Sequence, residues 1–99
     1  MISGFKTYDL SVELYRKCDT LKLPGYLRTQ LMRASLSIVL NLVEGSSRPT
    51  AKDRRRFYSI SYGSARETKA ILLLIDNPKL YNLSDQICAC LYRLKQRSL

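Results

Sequence analysis

Four polar side chains, Arg33, Ser37, Asn41 and Glu44, follow one another at spacings of four, four and three. On an α-helix that spacing sets them along one edge. A second carboxylate, Glu67, lies in the following segment and comes opposite them where the two segments fold back on each other. Paired carboxylates do acid–base work when their surroundings push their pKa values apart. The other reading is a hydrogen-bonded network that sets helix register, with Arg33 neutralising a Glu. The chain has no His, which removes the commonest neutral-pH base and the commonest metal ligand. With no nucleophile beside the carboxylates and no metal-ligand cluster, Arg33, Asn41, Glu44 and Glu67 read as a structural polar network. No catalytic residue, metal or cofactor is expected, and the chain reads as a non-enzyme.

The second chemical feature is cationic. Arg48, Lys52, Arg54, Arg55, Arg56, Arg66 and Lys69 face only Asp53 and Glu67 between positions 48 and 69. Lys52 and Arg54 to Arg56 fall in the first turns of an expected helix, where the helix dipole disfavours cations by about 0.3–1 kcal/mol each at low salt. Stability alone favours Asp or Glu there. Arg suits bidentate contact with phosphate, so Arg48, Lys52, Arg54, Arg55, Arg56 and Arg66 are the candidate nucleic-acid contacts. A solvated face and salt bridges between subunits are the competing readings. Arg93, Lys95 and Arg97 form a second basic patch.

Tyr58 and Tyr62 stand four apart among these cations. On an outer flank they either stack bases or line a subunit interface. Tyr8, Tyr15, Tyr26, Tyr81 and Tyr92 read as packing residues with their hydroxyls in water. Cys18, Cys88 and Cys90 form no CxxC and read as reduced, partly buried thiols.

The elements that position these groups are helical. Breaks fall at Lys22-Leu23-Pro24-Gly25, at Gly45 to Thr50, and from Asp76-Asn77-Pro78 to Ser84. They leave four segments with helical periodicity and none with strand alternation. The first spans about Thr7 to Leu21, with Leu10, Leu14, Cys18 and Leu21 on one face. The second spans Tyr26 to Glu44 and stops at Gly45 in a left-handed conformation. The third starts from a Thr50 cap and ends before Pro78, with a seam of Phe57, Ile60, Ser64, Glu67, Ile71 and Leu74. Gly63 and Ser64 allow a close crossing. The fourth starts at Ser84-Asp85, is short, and turns Ile87, Leu91 and Leu94 inward. The expected fold is all-α: an antiparallel up-down-up-down four-helix bundle formed by a single domain, residues 1–99.

The second segment is apolar over about two-thirds of its circumference, whereas a surface helix needs a stripe only ~100° wide. Leu27, Leu31, Ala34 and Ile38 feed the core. Met32, Leu36, Val39 and Val43 need another cover, either neighbouring helices of the same chain or a second subunit, and the second subunit is favoured.

Composition bounds the rest. Seventeen Lys and Arg against eight Asp and Glu give a net charge of +9. A 45% hydrophobic content is that of a globular chain and too high for a disordered one. Met1 to Lys6 lacks the basic and apolar regions of a signal peptide, and the apolar run from Ala70 to Ile75 is too short to span a bilayer. No membrane partner and a cytoplasmic setting are expected.

Two strings then carry a resemblance: Gln30-x-x-Arg33-Ala34-Ser35-x-Ser37-Ile38-x-x-Asn41-x-x-Glu44-Gly45, and Phe57-x-x-Ile60-Ser61-x-Gly63-Ser64-x-x-Glu67. With the opening Phe5-Lys6-x-Tyr8-x-Leu10-x-Val12, they resemble the four-helix-bundle proteins encoded by intervening sequences within bacterial 23S ribosomal RNA genes. That family is also labelled S23 ribosomal protein and is similar to the accessory proteins of diversity-generating retroelements. The resemblance implies a ring-like homo-oligomer, typically a pentamer, with a basic surface and no known enzymatic activity. Arg33, Asn41, Glu44 and Glu67 match its polar motif. The expected function is electrostatic binding of structured RNA, with RNA favoured over DNA. The alternative is a module that docks an acidic protein partner such as a reverse transcriptase.

Overall fold

The computed structural model describes residues 2–98, and the side chains of residues 5–98. Four helices account for most of them: Ile2–Asp19 (α1), Gly25–Ser46 (α2), Ala51–Leu74 (α3) and Pro78–Arg97 (α4). No strand occurs among the described residues. Local chemistry sets the ends. Thr50 caps α3 by accepting a hydrogen bond from the Asp53 backbone N–H at 3.2 Å. The Asn77 side chain caps α4 in the same way, accepting from the Leu80 N–H at 3.1 Å. Pro78 then sits at the first helical position, where its missing N–H costs nothing. Asp76, at φ 58°, makes the left-handed turn between α3 and α4.

Each helix packs against two others, in the cyclic order α1, α2, α3, α4 and back to α1. The result is a four-helix bundle, 41 × 20 × 17 Å. Two hydroxyl contacts set the register of α2 on α3. Ser61 Oγ donates to the Ile38 carbonyl at 2.7 Å, and Ser37 Oγ meets Ser64 Oγ at 2.7 Å. At the other edge of α3, Tyr62 meets Tyr92 of α4 with ring centroids 6.0 Å apart, and Lys69 Nζ lies 2.7 Å from Asp85 Oδ1.

The core holds Leu14, Leu31, Ile38, Leu72, Ile87 and Leu91, all fully buried. Small hydroxyl residues are buried with them. Ser11, Ser35 and Thr68 each donate to the carbonyl four residues earlier, so they enter the core already hydrogen-bonded. Leu31, Ala34 and Ile38 face inward as expected, whereas Leu27 is only half-buried. The other stripe of α2 is only partly left open by its own chain: Met32 packs against the core and Val39 is half-buried, whereas Leu36 is 39% and Val43 47% exposed, with Leu40 beside them 56% exposed.

Several expectations are corrected. Gly45 is not a left-handed stop: its φ is negative, it lies inside α2, and it is buried against α3. The fourth helix starts at Pro78, not Ser84, and its 20 residues make it a full-length member of the bundle. Ser84 is buried mid-helix and donates to the Tyr81 carbonyl. The first helix starts at Ile2 instead of Thr7. The seam of α3 is displaced by one residue, to Tyr58, Ser61, Ala65, Thr68 and Leu72, and of the expected line only Ile71 is buried with it. That register keeps Glu67 in solvent, where the desolvation cost of its charge is avoided.

Candidate nucleic-acid interface

The line on α3 one residue beyond its buried seam reads Lys52, Arg55, Ser59, Tyr62, Arg66 and Lys69. Steps of three and four keep these residues on one face. Lys95 of α4 joins Lys52, Arg55 and Arg56 in lining a groove of about 620 Å³ that also takes in Ser59 and Ile60. Further along, the Lys95 ammonium lies 4.8 Å from the Tyr62 ring centroid and 5.8 Å from that of Tyr92. The Arg66 guanidinium lies 6.0 Å from the Tyr62 centroid. Lys69 ends the line. It is paired with Asp85, and that hydrogen bond raises its pKa.

The six cations marked in the sequence therefore divide. Lys52, Arg55, Arg56 and Arg66 lie along the outer face of α3 beside α4. Arg48 and Arg54 are used elsewhere. Arg48 is ion-paired with Glu44, and its guanidinium lies 4.9 Å from the Phe57 ring centroid. Arg56 approaches the same ring at 4.5 Å. Arg54 Nη1 donates to the Arg48 carbonyl at 3.0 Å. Arg54 also borders a separate apolar groove of about 530 Å³ that includes Phe5, Tyr8, Val43 and Tyr58.

Within one chain, Arg33, Asn41, Glu44 and Glu67 do not form one network. Arg33 bonds Gln30 on its own helix at 2.5 Å. Asn41 donates to the carbonyl and hydroxyl of Ser37, both at 3.0 Å. Through Ser37 that bond reaches Ser64 on α3. Glu44 is held by Arg48, and Glu67 is exposed. The link between α2 and α3 is thus made by hydroxyls and an amide, not by charges. Among the described residues no group of three or more His, Cys, Asp or Glu is placed to hold a metal. Among the described residues no helix is long and apolar enough to cross a membrane.

Comparison with known families matches residues 5–93 to the 23S rRNA-intervening sequence proteins. The chain belongs to that family. Comparisons with curated proteins and with solved structures return no match. The matched span of this family member takes in Lys52, Arg55, Arg56, Arg66, Tyr62 and Tyr92, whereas Lys95 lies beyond it.

Sequence reading missed the role of α4 in this surface. Tyr92, expected to pack with its hydroxyl in water, does set its ring against Tyr62, but 49% of it is exposed beside Lys95. The signal was present in the spacing. Tyr81, Asp85, Cys88, Tyr92 and Lys95 step by four and three, a line that the longer helix start at Pro78 makes continuous. Tyr58 moves the other way. It is 7% exposed in the core rather than on the outer flank, and burial raises its pKa against the opposing charge of Arg54. All three thiols are free and buried.

Proposed function

We propose that this intervening-sequence protein is a non-enzymatic homo-oligomer of antiparallel up-down-up-down bundles, each a single domain. It binds structured RNA through the cationic face of α3 and α4. The observation that carries the reading is the groove in which Lys52, Arg55, Arg56 and Lys95 meet with no carboxylate among the described lining residues. A cluster of uncompensated cations costs self-repulsion, which a polyphosphate relieves by counterion release. A net charge of +9 adds long-range attraction.

Oligomerisation is supported by the open stripe Leu36, Leu40 and Val43, continued by Phe5 and Tyr8 of α1, which share a groove with Val43. A bare apolar face of this kind gains by burial at about 25 cal/mol per Å². The family resemblance favours a pentamer. A ring repeats the basic groove, so several weak sites act together. The setting that fits this reading is the bacterial cytoplasm.

Titration of an RNA stem-loop against the purified protein over a salt series tests this. Five neutralised phosphates give a log–log slope of about −4.5 if the contacts fall on the stem and about −3.5 if they fall on the single-stranded loop. Binding that is flat with salt overturns the reading. A protein partner captured from lysate after nuclease treatment, with no salt-dependent RNA binding, favours docking of an acidic protein instead.

A further inference from the structure

We propose that the groove between α3 and α4 takes an unpaired stretch of RNA, with phosphates along Lys52, Arg55, Arg66 and Lys95 and a base stacked on Tyr92. This rests on the nucleic-acid reading above and names the form of RNA that the same surface recognises.

The argument starts from what the groove offers besides charge. Cations alone favour the duplex, whose phosphates are denser than those of a single strand. Here the cations border an aromatic pair in which Tyr62 is half-buried and Tyr92 is exposed. The rings of Tyr62 and Tyr92 meet obliquely, with planes 54° apart, so neither covers the face of the other. Tyr92 is half exposed. Its hydroxyl is held by the Gln96 amide at 3.2 Å, which anchors the ring without enclosing it. Lys95 belongs both to the cationic groove and to the aromatic pair. One cation therefore links a backbone path to a stacking platform.

The path has the shape of a strand. Lys52 to Arg66 is fourteen residues along α3, or about 21 Å at the α-helical rise of 1.5 Å per residue. Its second wall is α4. At its far end Asp85 engages Lys69 and places a carboxylate where an anion gains nothing further. A base inside a duplex hides both faces in its own stack. Only an unpaired base offers a face to Tyr92. Single-stranded loops and bulges of a structured RNA fit this surface, and its stems do not.

The test is fluorescence polarisation with the full chain at one fixed salt concentration. Three labelled probes are compared: a short single-stranded RNA, the same strand annealed to its complement, and an abasic strand of equal length. Stacking predicts that the single strand binds at least roughly fivefold tighter than either of the others, the scale of one stacked base. Tyr92→Ala loses that margin and Tyr92→Phe keeps it, both with unchanged helical circular dichroism. Duplex binding equal to or tighter than single-strand binding overturns the proposal, and so does an abasic strand that binds as well as the intact one. In those two cases salt-dependent binding survives and the broader reading stands. Failure of all three probes to bind at low salt overturns both.

Discussion

The ring of Tyr58 occupies the space that a side chain at Gly45 needs. A β-carbon built at Gly45 lies 2.8 Å from Tyr58 Cε1 and 3.0 Å from the Phe57 β-carbon. Tyr58 is buried, so its ring has little room to yield. Gly45→Ala therefore overpacks the α2–α3 contact, which costs about 1–3 kcal/mol against a gain of about 0.5–1 kcal/mol from replacing a helical glycine. The net effect is a lower melting temperature. Gly63 has nothing within 4 Å of the equivalent position, so Gly63→Ala raises the melting temperature. Thermal denaturation of the two variants should give opposite signs.

Ser61 hydrogen-bonds across to the Ile38 carbonyl from a fully buried position. Ser61→Ala is expected to lower stability by about 0.5–1.5 kcal/mol, the usual net worth of such a bond. Urea unfolding monitored by circular dichroism measures it. No loss of stability would show that hydrocarbon packing alone sets the α2–α3 register.

The cations should separate into two classes on substitution. Replacing Lys52, Arg55 and Lys95 together by Ala weakens RNA binding and flattens the salt slope. Stability stays within about 0.5 kcal/mol at each of the exposed Lys52 and Arg55, and loss of the Lys95 contacts with Tyr62 and Tyr92 costs about 0.5–1 kcal/mol. Arg48→Ala does the reverse. It removes the contact with the Phe57 ring, worth about 0.5–1 kcal/mol at an exposed site, and the Glu44 ion pair, while binding changes little. Paired binding and melting measurements on both variants check this.

Leu40 stands at the centre of the open stripe of α2. Leu40→Glu places a charge there and is expected to shift the protein to a smaller species in light scattering, with helicity intact. An unchanged particle mass would place the subunit contact on another face.

Alkaline pH should destabilise the fold. Burial raises the Cys18 thiol from the ordinary 9.0 to about 11, and raises Cys88 and Tyr58 in the same direction. Below pH 9 the thiol is protonated in both states and its stabilising contribution is complete. Between pH 9 and pH 11 the unfolded thiol releases its proton and the folded one holds it. Stability then falls by up to about 1.4 kcal/mol per pH unit from Cys18 alone. Urea titrations across that window show the slope, and Cys18→Ala reduces it.

Much of this was legible in the residues. Periodicity and breaks located the four helices, and the circumference of α2 identified the inward Leu31, Ala34 and Ile38 and the bare Leu36 and Val43, but not the partial cover of Met32 and Val39. The errors have physical causes. On α3, two lines one residue apart both step by three and four. Hydropathy favours the line through Phe57, Ile60 and Leu74, but that line buries Glu67. Ser61 and Thr68 look polar as residue types, yet each hydroxyl has a carbonyl partner, so the second line is the less costly one to bury. Asn77-Pro78 reads as an extended break until the Asn side chain is seen capping the helix that Pro opens. Gly45 invites the role of a helix terminator, while its use is to admit the ring of Tyr58.

The sequence by itself determined the helices, the charge imbalance and the surplus of apolar surface, because these follow from residue type and short-range spacing. The tertiary structure alone decided which cations work together. Lys52, Arg55 and Arg56 meet Lys95 only because α3 and α4 pack side by side, whereas Arg48 and Arg54, their neighbours in the chain, turn to Glu44, Phe57 and a backbone carbonyl. Helix packing sets proximity between residues far apart in sequence, and local spacing carries no record of which edge of one helix will lie along which edge of the next.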